Sequence, residues 1–208
     1  DYFHRLMAFL RDDLLNYMRW QEAEGLLTLN NGNHYAGAGS YGFTDELPQE
    51  GFQGVVRLRD RWHNLNSQET VGVSPRMFHE FCFPYYRDVC EPVGLLYYGC
   101  CDRLDDRLDL VKQIPHLKKV SCSPWSDREK FAEAIGPGLV MSVKPNPALL
   151  AMDTFDPVAV KKDLDAALDA AKRNNVCIEF ILKDISTVRY QPQRLWEWAD
   201  IAMDVIRR

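Results

Sequence analysis

From Ser74 onward, short apolar runs alternate with capped helical stretches, and this alternation limits the chain to an α/β architecture built on a parallel sheet. Strands are predicted over 93–100, 117–123, 139–144 and 176–183, and an apolar run over 25–29 predicts a fifth. Helices are predicted over 2–22, 74–88, 105–113 and 126–136, and again from 156 and from 192. Ser74-Pro75 reads as an N-cap followed by the first helical residue. Ser126-Asp127-Arg128-Glu129 reads as a capping box. Asp156-Pro157 opens a helix whose apolar stripe is Val160, Leu164, Ala167, Leu168 and Ala171. Residues 30–73 predict one long loop, a length that in a compact domain is commonly functional or poorly ordered.

Two architectures share this pattern: an open doubly wound sheet and a (β/α)8 barrel. A complete barrel takes about 250 residues, and only five strand–helix units are legible in these 208 residues. The expectation is a single domain over 1–208, the C-terminal portion of a barrel. The helical pattern already under way at Asp1 predicts that the chain is a piece of a longer protein. The strands also differ from the near-continuous apolar runs of a sheet covered on both faces. Val140, Ser142, Lys144 and Asn146 share one face, as do Ser121 and Ser123. Leu96, Tyr98, Cys100 and Asp102 share another, and Cys177, Glu179, Ile181 and Lys183 a fourth. Polar positions thicken toward the C-terminal ends, as they do in a barrel whose site lies at the C-terminal mouth. A half-barrel would expose strand edges and apolar surface, so self-association in sedimentation is expected of the fragment.

A formal net charge of −5 without a basic block argues against nucleic acid or an anionic membrane as partner. The longest apolar run is too short to span a bilayer. Six cysteines in a chain with ample apolar content predict thiols in a reducing cytoplasm.

The candidate chemistry gathers at strand ends. Cys100 is a zinc ligand, a nucleophile or a small buried residue. Lys144, held by Pro145 and Pro147, binds a carboxylate or phosphate, forms a Schiff base, or pairs with Glu179. Glu179 is costly to bury unless Lys144 or Lys183 pairs it. Asp184 faces the mouth of the barrel or caps its loop. A metal could draw on Cys100, Glu179 and Asp184, whereas Cys177 reads as packing at the start of its strand. Tyr98, Ser123 and Asn146 are candidate substrate contacts. Gly37-Ala38-Gly39-Ser40-Tyr41-Gly42 fits G-x-G-x-x-G but offers no helix N-terminus to a pyrophosphate. A Gly-rich lid is the reading adopted, with Asn30 and His34 at its base as further substrate contacts.

Three stretches together carry a resemblance to a known family. They are Ser74-Pro75 with Phe78, Glu80-Phe81 and Pro84-Tyr85, then Tyr98-Gly99-Cys100-Cys101, then Pro192-Gln193-Arg194-Leu195. This order resembles the C-terminal half of the uroporphyrinogen decarboxylase superfamily, which includes the methylcobamide:coenzyme M methyltransferases. Val120-Ser121-Cys122-Ser123-Pro124-Trp125, Lys144-Pro145-Asn146-Pro147 and 181–187 resemble a bacterial branch of it. The resemblance implies a (β/α)8 TIM barrel of which this chain supplies about five βα units. For the reaction it implies methyl transfer with a corrinoid-carrying partner protein, or decarboxylation of a tetrapyrrole. A non-catalytic module that binds a tetrapyrrole or a corrinoid protein is the remaining reading. The methyltransferase branch holds zinc with a His-x-Cys motif and a distant Cys. Here Tyr98-Gly99-Cys100 occupies the first place, so the His is lost, and the second falls near Asp184. The decarboxylase branch has His-Gly-Val where this chain has Asp184-Ile185-Ser186.

Overall fold

Side-chain caps start three of the helices, those from Pro75, Arg128 and Pro157, near where the sequence places them. In the computed structural model, which describes residues 2–208, the Oγ of Ser74 accepts the Met77 N–H at 3.3 Å and starts α2. The Asp156 carboxylate accepts from the N–H groups of Val158 and Ala159 at the start of α7. The elements run α1 (Tyr2–Ala23), β1 (Tyr35–Gly37), β2 (Ser40–Tyr41), β3 (Trp62–Leu65), α2 (Pro75–Phe81), α3 (Phe83–Cys90), β4 (Leu95–Tyr98) and α4 (Leu108–Val111). They continue with β5 (Leu117–Cys122), α5 (Arg128–Ile135), β6 (Val140–Val143), α6 (Ala148–Ala151), α7 (Pro157–Arg173), β7 (Cys177–Phe180) and α8 (Gln193–Ile206). A five-stranded sheet has the order β3-β4-β5-β6-β7, with parallel pairing of β3 with β4, β4 with β5, and β6 with β7. The fold is therefore α/β with a parallel sheet.

Three expectations need correction. The first strand of the five-stranded sheet is Trp62–Leu65 rather than the run over 25–29, where Leu26 is exposed. The alternation of Trp62 and Asn64 against His63 and Leu65 hid the strand, because polar side chains occupy both faces. The predicted helix over 74–88 is two helices, broken at Cys82. Pro84 has no N–H to continue the first helix, and its ring would strike the carbonyl four residues back. The cap of α5 is Asp127, which accepts from the Lys130 N–H, while Ser126 donates to Asp105 at 2.6 Å.

The chain forms two compact units, the first comprising 1–102 and 106–120, the second 103–105 and 121–208. In the first unit, Trp62, Leu95 and Tyr97 share a face with Ala36, Ala38 and Leu47 packed on it. Ala36 and Ala38 belong to the β1–β2 hairpin, whose turn residues Ala38 and Gly39 both have positive φ. That is the two-residue turn whose twist suits a hairpin. The G-x-G motif is thus a hairpin tip. Its Gly37 lies so close to the sheet that a Cβ there would sit 2.3 Å from the Cβ of Asn64. On the opposite face, α1 packs against α3, and Met18, Leu27, Leu58, Val89 and Val93 form a second cluster. In the second unit, Ile178 and Phe180 of β7 pack on a core of Leu150, Val160, Leu164, Leu168, Trp198, Ala202 and Val205. Each such buried Leu or Val contributes roughly 1.5–3 kcal/mol of transfer free energy.

Arg194 is the largest fully buried side chain, and it ends the small helix α6. Its guanidinium donates to the carbonyls of Leu150 (2.8 Å), Met152 (2.5 Å) and Asp153 (2.9 Å). These acceptors would otherwise be orphans at a helix C-terminus.

In the first unit, burial and the nearby Arg61 guanidinium hold the His63 imidazole down at about 4, against an ordinary 6.5. The unfolded chain therefore takes up a proton on His63 at higher pH than the folded chain does. Stability from this group is complete above 6.5 and is lost as pH falls toward about 4. The expected loss is up to about 3 kcal/mol. Urea titrations at stepped pH should show it, and His63→Gln should flatten that part of the profile. A flat profile in the parent chain would refute the assignment.

Candidate functional site

The second unit gathers the densest polar set of the sheet at the end of β6. The backbone N–H of Lys144 continues the ladder to the Cys122 carbonyl at 2.9 Å, and the Ile181 N–H reaches the Val143 carbonyl at 2.9 Å. Two-residue alternation puts Lys144 on the face of Ser142, and the Lys144 amine donates to the Ser142 hydroxyl at 2.8 Å. Lys144 is only 2% exposed, and Ser121, Ser123 and Ser142 are fully buried. Glu179 of β7 is in register with Ser142, and its Oε1 is buried. A cation, a carboxylate and three hydroxyls thus line one side of the sheet within this unit. The other side holds Cys122, whose thiol burial pushes up to about 12. It stays protonated and packs as a small apolar group.

The other expected residues of this unit sit around that set. Asn146 lies just before α6, its Oδ1 accepting the Ala148 N–H at 3.0 Å. The Ser123 hydroxyl accepts the Trp125 N–H at 3.4 Å. Asp184 is exposed, has φ of 60°, and lies 3.8 Å from the Lys183 amine. Cys177, expected to pack, is exposed at the start of β7.

Cys100 belongs to the first unit. Its predicted companionship with Tyr98 fails, because Gly99, with φ of 98°, ends the strand alternation. Cys100 instead packs against the cluster of Trp62, Leu95 and Tyr97. Its sulfur lies 3.5 Å from that of Cys101, and its N–H donates to Asp102. Tyr98 points to the opposite face, fully buried, with its hydroxyl donating to Ser67 at 2.7 Å. Burial drives its phenol well above the ordinary range. In this unit Tyr98 is a packed and hydrogen-bonded core residue. Asn30 is equally committed. Its carboxamide donates to the Trp62 carbonyl (3.1 Å) and accepts the Trp62 N–H (2.8 Å). His34 is exposed at the foot of the hairpin, and its carbonyl accepts the Gly42 N–H at 2.9 Å.

The reading of the residues missed Lys119. Its amine donates to the Ser40 hydroxyl (2.9 Å) and the Tyr41 carbonyl (2.8 Å), and stands 5.1 Å over the Trp62 ring. Alternation from Ser121 and Ser123 back along β5 leads to Lys119, so the signal was present. Among the described residues, no three His, Cys, Asp or Glu side chains form a group that could hold a metal ion, and none of the helices is long and apolar enough to cross a membrane. Of the expected trio, Cys100 lies in the first unit and Glu179 and Asp184 in the second. No family model matches the chain, and no curated protein matches it.

Proposed function

We propose that this chain is part of a cytoplasmic, uroporphyrinogen decarboxylase-like barrel enzyme that acts on a small anionic substrate, with corrinoid-linked methyl transfer as its reaction. The observation that carries the reading is the buried ammonium of Lys144, set beside Ser142 and in line with Glu179 on a parallel sheet. A lysine is costly to bury, and functional sites are where such groups concentrate. An anionic substrate headgroup entering at the strand ends would find a point charge and hydroxyl donors already oriented. Glu179 is suited to hold or return a proton on the same face. Cys100, half-buried at the end of β4, is the thiol closest in chain position to the family's sulfur ligand. A corrinoid, carried by a partner protein, would bring the methyl group.

The test is a visible-absorbance titration of the longest available form of the protein with hydroxocobalamin, in parallel with a porphyrin. A methylcobalamin-dependent transfer assay with a thiol acceptor runs beside it. Saturable corrinoid binding with turnover is the expected result. Porphyrin binding with release of CO2 would replace the reading by decarboxylation, and corrinoid binding without turnover by a non-catalytic module.

A further inference from the structure

Arg61, immediately before β3, and His63 within it are two basic side chains that the catalytic proposal does not use. Arg61 and His63 lie two residues apart and line a cavity of about 220 Å³ in the first unit. Tyr17 and Gln21 of α1 supply further polar lining, and Leu27 and Leu58 are among its apolar walls. The lining contains no carboxylate. Among the described residues, neither the Arg61 guanidinium nor the His63 imidazole makes an ion pair or a hydrogen bond. Desolvation alone acts on Arg61, with no acidic side chain to offset it. On α1, the Glu22 carboxylate is engaged by the Leu58 N–H, which it accepts at 2.7 Å.

A guanidinium that loses water without gaining a counterion is an unfavourable arrangement unless something else supplies the charge. The walls indicate what. The Gln21 amide donates to the Tyr17 hydroxyl at 3.3 Å, which leaves the phenolic proton available to a further acceptor. Guanidinium, imidazole, phenol and amide are all donors suited to an oxyanion, and Arg in particular presents a planar fork to carboxylate, sulfate or phosphate. The apolar walls suit a hydrocarbon body attached to that headgroup. We propose that this cavity is a binding site for a small amphipathic oxyanion, its headgroup on Arg61 and His63 and its apolar part against Leu27 and Leu58. The site lies wholly within the first unit and is independent of the Lys144 set.

Phenyl sulfate is the probe, because its charge stays constant across the pH range in which His63 titrates. Calorimetry should show saturable binding, weakened about tenfold or more in Arg61→Met, as expected for loss of a charge-assisted hydrogen-bond pair. Gln21→Leu, on the surface of α1, should weaken it about threefold, on the order of one neutral hydrogen bond. This second variant keeps the test valid if the β3 substitution impairs folding. The groups facing His63 are Arg61, just before its strand, and Tyr17 on α1, neither of them anionic. Saturation with phenyl sulfate should therefore raise the imidazole titration midpoint followed by NMR, which a purely packing role would leave unmoved. The absence of saturable binding, equal affinity in all variants, or an unmoved imidazole midpoint would overturn the proposal.

Discussion

Under the proposed function, Lys144→Met should reduce kcat/KM for methyl transfer by about 10–100-fold, the size of one charge-assisted contact to a substrate anion. The side chains are similar in length, so the substitution removes charge and donor while keeping most of the volume. The loss should fall mainly in KM if Lys144 anchors the ground state and transition state alike, and in kcat if the anion develops only during the reaction. Lys144→Arg restores charge but not shape at a buried position where the amine meets the Ser142 hydroxyl. It should recover only part of the activity. Steady-state kinetics on the three proteins decides the matter. Unchanged kcat/KM in Lys144→Met would remove the lysine from the site and the proposed substrate class with it.

Arg194→Leu should be the most damaging of these substitutions to stability. The guanidinium satisfies three carbonyls, and leucine satisfies none. Leaving buried acceptors unpaired costs about 3 kcal/mol or more in sum. In a chain of this size that lowers Tm by roughly 6–12 °C. The effect should be confined to the second unit, so probes on Trp198, which packs in its core, will report the transition. Arg194→Lys should lie between, since one ammonium reaches fewer of the three acceptors. A loss below about 1 kcal/mol by thermal melting would show that the carbonyls find other donors.

Much of the scaffold was legible because its signals are local. Caps at Ser74 and Asp156, and the stripe from Val160 to Ala171, act over a few residues and survive into the structure. So does the polar side of β6, where Ser142 and Lys144 alternate with buried Met141 and Val143. The failures came where tertiary partners decide. Trp62–Leu65 has no apolar run and becomes a strand through its ladder to β4. Asn30 and Tyr98 look like ligand contacts in isolation, yet their polar atoms go to Trp62 and Ser67, far off in sequence. Cys100 depended on Gly99, whose left-handed backbone reverses which side a strand-end residue faces, and alternation alone carries no trace of that. Arg61 and His63 drew no notice because they fall in what reads as loop.

The carboxamide of Asn30 does for β3 what another strand would otherwise do. By taking both the N–H and the carbonyl of Trp62, it occupies the first rung on the side away from β4. A foreign β-segment sliding along that flank meets an end-stop rather than a vacant ladder. Replacing Asn30 would reopen the rung, so this one amide guards the sheet against stacking strand to strand with its own kind.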